Sequence, residues 1–186
     1  MRRIPVMIAC MAILTACSVP EAGTAKPEKV AATSSTNAKP SSNRPREIKL
    51  EGKSPCDLLT AEQLARIAKT TAPRAGASEA FKSPECTFNA TGAVWRVTLV
   101  LTEGIDSWTD GQRQGQPTDI PPIAGFPAIT ITLPGDSVRC DVAVDVADGQ
   151  YLYVAFEVSE SFVDSFPKPC DGARQIAEAA MQNLTK

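Results

Sequence analysis

The sequence predicts an α+β domain, an antiparallel sheet of about five strands packed by an N-terminal and a C-terminal helix and braced by two disulfides. Three observations carry this. Segments after residue 85 alternate apolar and polar residues with period two and are separated by short turns, the mark of antiparallel pairing. Residues 172–184 switch to a helical period. Four cysteines remain in a segment that an N-terminal signal sends out of the cytoplasm.

The chain divides into three regions. Residues 1–17 read as an export signal. Arg2 and Arg3 give a positive start, and residues 4–13 are apolar apart from Pro5. That run is shorter than the ~20 residues of a permanent span. It closes on Leu14-Thr15-Ala16-Cys17, small residues followed directly by cysteine, which is a lipobox pattern. Cleavage between Ala16 and Cys17 and acylation of the Cys17 thiol are expected. Two or more acyl chains, at ~0.8 kcal/mol per buried CH₂, hold a protein stably on a bilayer. The expected location is the outer face of the cytoplasmic membrane, with the membrane as partner through the lipid on Cys17.

Residues 18–53 are rich in Ala, Ser, Thr, Lys and Pro and carry a net charge of +3. Their apolar residues are too few to offset the entropy of ordering, so they read as a disordered tether. A flexible chain of this length reaches roughly 30–35 Å. Residues 54–186 read as the globular domain. Ten basic against seventeen acidic residues there give −7, which argues against nucleic acid as a partner.

Within the domain, Thr60 and Gln63 have capping-box spacing, Leu59 can staple against Leu64, and Pro73 and Gly76 end the helix. Five strands are expected. Residues 86–90 are followed by a Thr91-Gly92 turn and by residues 94–102, with Trp95, Val97 and Leu99 on one face. Residues 126–133 place Ile129, Ile131 and Leu133 together. Residues 138–146 put Cys140, Val142, Val144 and Val146 opposite Arg139, Asp141, Ala143 and Asp145, and Asp148-Gly149 turns into residues 151–159. Ala173, Ile176, Ala177, Ala180 and Leu184 form the apolar stripe of the last helix. Residues 103–125 carry no clear element, and a segment that long is often a binding loop.

Cys10 leaves with the signal, and Cys56, Cys86, Cys140 and Cys170 remain. Without a C-x-x-C spacing, two disulfides are expected rather than a metal site. Cys56 and Cys170 share the frame Pro-Cys-Asp before a helix, and Cys86 and Cys140 share inward strand parity. The nested pairing Cys56–Cys170 with Cys86–Cys140 is therefore preferred over Cys56–Cys86 with Cys140–Cys170.

Pro55-Cys56-Asp57-Leu58-Leu59-Thr60, Cys86-Thr87-Phe88, Gly125-Phe126-Pro127-Ala128, Cys140-Asp141-Val142-Ala143-Val144 and Phe166-Pro167-Lys168-Pro169-Cys170-Asp171 together resemble an actinobacterial lipoprotein family whose domain is of unknown function. The resemblance covers about residues 54–184, although Trp is commoner than Phe88 in the family's second motif. It implies an envelope lipoprotein of a wall-rich Gram-positive bacterium and no particular activity.

The chain has no histidine, which removes the usual Ser-His-Asp and Cys-His nucleophiles and imidazole metal sites. No P-loop, dinucleotide fingerprint or calcium loop appears, and neither cofactor nor metal is expected. Asp141 with Asp145, and Asp106 with Asp110, are carboxylate pairs of the kind a glycosidase uses. Tyr151 and Tyr153 share an outer face with Glu157, either as a recognition surface or beneath a second layer. Trp108 is the other candidate for an exposed binding surface. The leading expectation is a non-enzymatic binding or accessory module of the cell envelope, contacting an envelope protein, lipid or wall component. The alternative is a carboxylate-based hydrolase acting on cell-wall glycan.

Overall fold

Seven antiparallel strands form one sheet in the order β1-β2-β3-β7-β6-β5-β4. The computed structural model describes residues 43–186. The strands are β1 (Arg74–Ser78), β2 (Ser83–Ala90), β3 (Ala93–Val100), β4 (Gln116–Ile123), β5 (Phe126–Thr132), β6 (Arg139–Ala147) and β7 (Gln150–Val158). The helices are α1 (Ala61–Ile67), the single turn α2 (Asp106–Thr109) and α3 (Pro169–Leu184), with 3₁₀ turns at Pro55–Leu58 and Glu160–Ser165. The α+β architecture, the antiparallel pairing and two disulfides agree with the sequence reading, but the sheet has seven strands where about five were expected.

The two unexpected strands are the two edges. In β1, Arg74 to Ala77 are exposed, so no apolar alternation marks the strand. In β4, Pro117, Pro121 and Pro122 argue against a strand, yet an edge tolerates residues that cannot donate to a ladder. The same prolines blunt that edge against further pairing.

One face of the sheet packs against the helices. Phe88, Trp95, Val97, Leu99, Val142, Val144, Leu152, Val154 and Phe156 are buried there together with Ala173, Ile176, Ala177, Ala180 and Met181 of α3. Thr60 caps α1 as its spacing predicts, accepting from the Gln63 N–H while the Gln63 side chain accepts from the Thr60 N–H. The helix stops at Ile67 rather than at Pro73, and Gly76 lies within β1. Ile48 and Leu50 are buried in the same core, and the Ile48 N–H donates to the Val146 carbonyl. The packed domain therefore takes in residues that the sequence reading gives to the tether.

The disulfides join Cys56 to Cys86 and Cys140 to Cys170, with Cα atoms 5.0 and 4.9 Å apart. The nested pairing is thus overturned. Sheet order supplies the reason: β3 and β7 lie between the strands of Cys86 and Cys140. Strands three places apart stand ~14 Å from each other, twice the reach of a disulfide. Each bridge instead fastens a helical element to the strand beneath it.

Gly172 shows how closely α3 sits on the sheet. A Cβ at this position would overlap the Phe156 ring, itself packed against Trp95 and Phe166. Gly172→Ala is expected to cost about 1–3 kcal/mol by overpacking, despite the better helix propensity of alanine. Urea denaturation measures this, and an unchanged midpoint would mean that α3 has room to shift.

Candidate functional site

The opposite face of the sheet is covered over only part of its area. Along it, Thr87, Arg96, Ala155, Asp141 and Ile131 follow one another in register across β2, β3, β7, β6 and β5. The neighbouring register line carries Glu85, Thr98, Tyr153, Ala143 and Ile129. Next comes Ser83 on β2 and, beyond it, Val100 opposite Tyr151 and Tyr151 opposite Asp145. The segment between β3 and β4 folds over Val100 and Tyr151.

Buried and half-buried polar groups fasten that cover. Trp108 of α2 donates its indole N–H to the Tyr151 hydroxyl at 3.1 Å, and that hydroxyl donates to Glu103 at 2.7 Å. Arg113 holds Glu103 through Nε at 2.8 Å and Nη2 at 3.0 Å, and its guanidinium lies 4.4 Å above the Phe81 ring. Phe81, Trp108 and Tyr153 form an aromatic group with centroids 4.7 to 6.4 Å apart. Residues 103–125, expected to carry no clear element, are thus structured. They supply α2, a cover held by hydrogen bonds, and β4.

Beyond the cover lies an open groove of about 710 Å³, lined most prominently by Phe81, Trp108, Leu133, Arg96, Arg139 and Tyr153. Leu133 is 41% exposed, one of two large apolar residues so placed among the described residues. Asp141 forms the groove's best-satisfied polar group. Arg139 grips it with Nε and Nη2, both at 2.9 Å, and Tyr153 donates its hydroxyl to the same carboxylate. Among the described residues the Arg96 guanidinium has only Glu157, at 3.8 Å.

The structure redistributes the expected site residues. Tyr151 is fully buried and Tyr153 is 5% exposed, so the second-layer reading holds for both. Trp108 is 7% exposed and fastens the cover instead of forming an exposed patch. A tethered segment with its own apolar side chains covers them. Tyr153 and Trp108 still line the groove, whereas Tyr151 does not. The carboxylate pairs are not a reacting couple. Asp141 is consumed by Arg139 and Tyr153, while Asp145 pairs with Arg44 at 2.6 Å, where the chain enters the domain. Arg44 also holds Asp148. Asp106 opens α2 and Asp110 follows it. Cys17 and Ala16 lie outside the described residues. Arg96, Arg139 and Leu133 are not singled out by the sequence reading; the outward parity of Arg96 and Arg139 is readable from alternation, whereas Leu133 groups with Ile129 and Ile131 as an apolar side.

The buried hydroxyls make alkaline pH a probe of this face. Burial, then the Glu103 carboxylate, raises the Tyr151 phenol; burial, then Asp141, raises Tyr153. The unfolded phenols ionise first, near 10.0. Their contribution is complete below that pH and declines above it by about 1.4 kcal/mol per pH unit for each tyrosine. Urea midpoints between pH 9 and 11 should fall, and Tyr151→Phe should lessen the slope; a flat profile would contradict the buried placement. Glu103 runs the other way. Burial raises its pKa, but hydrogen bonds from Arg113, Tyr151 and Ser107 outweigh that and bring it below the usual 4.5. Its contribution is present above that value and is lost as acid titrates the folded carboxylate.

Among the described residues no group of His, Cys, Asp and Glu is arranged to hold a metal, and no helix is long and apolar enough to cross a membrane. No curated protein and no solved structure matches the chain. The model of a family described as protein of unknown function (DUF3558) matches residues 12–183. With nearly its whole length matched, the chain belongs to the DUF3558 family.

Proposed function

We propose that this protein is a non-enzymatic binding or accessory module of the cell envelope, anchored outside the cytoplasmic membrane by a lipid on Cys17. The groove beside Arg96, Leu133 and Tyr153 is its ligand site. The observation that carries this reading is an open groove on a sheet face, bordered by the segment that covers Val100 and Tyr151. Its volume lies in the range of small-molecule sites, and apolar walls meet a few fixed polar groups there. Two disulfides brace the helices behind it, which favours a preformed site. The lipobox sequence and the resemblance to envelope lipoproteins support the location. The hydrolase alternative gains no support from Asp141 and Asp145, since an arginine neutralises each.

Extraction of the full chain from membranes in mild detergent, followed by native mass spectrometry, tests both parts. The expected N-terminus is Cys17 carrying diacylglycerol, and the expected folded chain retains an additional small mass. An intact Met1 or an unmodified Cys17 would overturn the anchor. Failure to recover any envelope ligand or partner by extraction and crosslinking would overturn the binding reading.

A further inference from the structure

We propose that the groove takes a monomeric anionic amphiphile. The oxyacid group would sit between Arg96 and Arg139, and a short apolar body would lie along Leu133 and Ile131. This rests on the binding reading above and names its ligand class.

The register across the sheet makes the acid position. Ala155 on β7 stands between Arg96 on β3 and Asp141 on β6, so the strand between the two arginine-bearing strands presents only a methyl group at this register. Arg139 lies on β6 opposite Glu157, two pairs along from Asp141 and Ala155 and on the same face. Its Nε and Nη2 are spent on Asp141 and Tyr153, while no hydrogen bond among the described residues uses Nη1. The Arg96 guanidinium makes no hydrogen bond among the described residues. Its ion pair with Glu157, at 3.8 Å, is too long to be one. Two guanidinium groups with donors unspent therefore line the same groove. Guanidinium forks match carboxylate and phosphate oxygens.

Of the acids at the groove, Asp141 is neutralised by Arg139, Glu79 pairs with Lys82 at 2.8 Å, and Glu85 accepts from Thr98 at 2.9 Å on the neighbouring register line. Glu157 competes directly for Arg96. Its carboxylate is 45% exposed and loosely held, so a ligand's acid group can displace it toward water. Balanced charge around the groove favours one acid group over several.

The apolar arm follows from Leu133, exposed at the groove wall, with Ile131 and the edges of Trp108 and Phe81 beside it. The groove's volume, about 710 Å³, is that of a small-molecule site, so the occupant is a single amphiphile and not a bilayer surface.

The test is calorimetric titration of the full chain carrying Cys17→Ser, which frees it of lipid and detergent. The probes are hexyl phosphate, hexyl glucoside, inorganic phosphate and phosphatidylglycerol vesicles. Hexyl phosphate is expected to bind about tenfold or more tightly than hexyl glucoside, the scale of one charge-assisted hydrogen bond. Arg96→Gln should erase that preference without moving the thermal midpoint, and Glu157→Gln should strengthen hexyl phosphate binding. Leu133→Ser should weaken both hexyl compounds. Equal binding of hexyl glucoside and hexyl phosphate would overturn the acid position while leaving the groove reading intact. Inorganic phosphate binding as tightly as hexyl phosphate would overturn the apolar arm. Vesicle binding that Arg96→Gln abolishes would overturn the monomeric ligand. If no probe binds although the membrane-extracted chain retains a ligand, the ligand class is wrong and the binding reading stands.

Discussion

Asp141→Ala should destabilise the domain by about 3 kcal/mol, the lower end of what removing one partner of a buried ion pair costs. The Asp141 side chain is 7% exposed and accepts from both Arg139 and Tyr153. Without it, the Tyr153 hydroxyl loses its carboxylate and the Arg139 charge stays half enclosed. The arginine side chain is 30% exposed, so its head can turn to water, which keeps the loss from being larger. Adding Arg139→Ala should return part of the loss, because the stranded charge is then gone. For a domain of this size the single change corresponds to roughly 10 °C in thermal midpoint. A midpoint within a degree or two of the parent would show that the pair contributes nothing to the groove's rigidity.

The second large effect concerns the bridge between Cys140 and Cys170. It links β6 to the first turn of α3, with 30 residues of separation. Restriction of the unfolded chain by such a loop is worth about 3.5 kcal/mol. The paired change Cys140→Ser with Cys170→Ser should lose that amount, and α3 should exchange its amides faster than β3 and β7 do. Non-reducing digestion should yield one linked pair of peptides holding Cys56 and Cys86 and another holding Cys140 and Cys170. A crosslink between Cys86 and Cys140 would contradict the sheet order itself.

Legibility in the sequence followed burial. β3, β6 and β7 each bury a continuous row of alternate residues, and their spans were readable to within two or three positions. The Thr60 capping box and the Ala173–Leu184 stripe were equally plain, since each depends on residues three or four apart. The edges were not readable, because an edge strand needs no buried face. β1 consists of Arg-Ala-Gly-Ala-Ser, and β4 carries three prolines. The disulfide pairing failed for a related reason. Parity says that Cys86 and Cys140 face the same side, but only strand order says how far apart they are.

The site was half legible. The outward face of Arg96, Asp141 and Tyr153 could be read from alternation alone. What alternation cannot show is which part of that face a later segment covers. Trp108 and Glu103 reach Tyr151 across more than forty residues of chain, so the cover, and with it the groove's boundary, is a tertiary fact.

The central claim is that the uncovered part of this face is where the protein binds. It is tested most directly by comparing the ligand mass retained by the membrane-extracted chain with that retained by Leu133→Glu. This change touches an exposed wall residue and places a negative charge beside the proposed amphiphile. The account predicts that the parent keeps its ligand and that the variant, folded and still anchored, has lost it. The same retained mass in both would place the ligand elsewhere on the molecule and contradict the account.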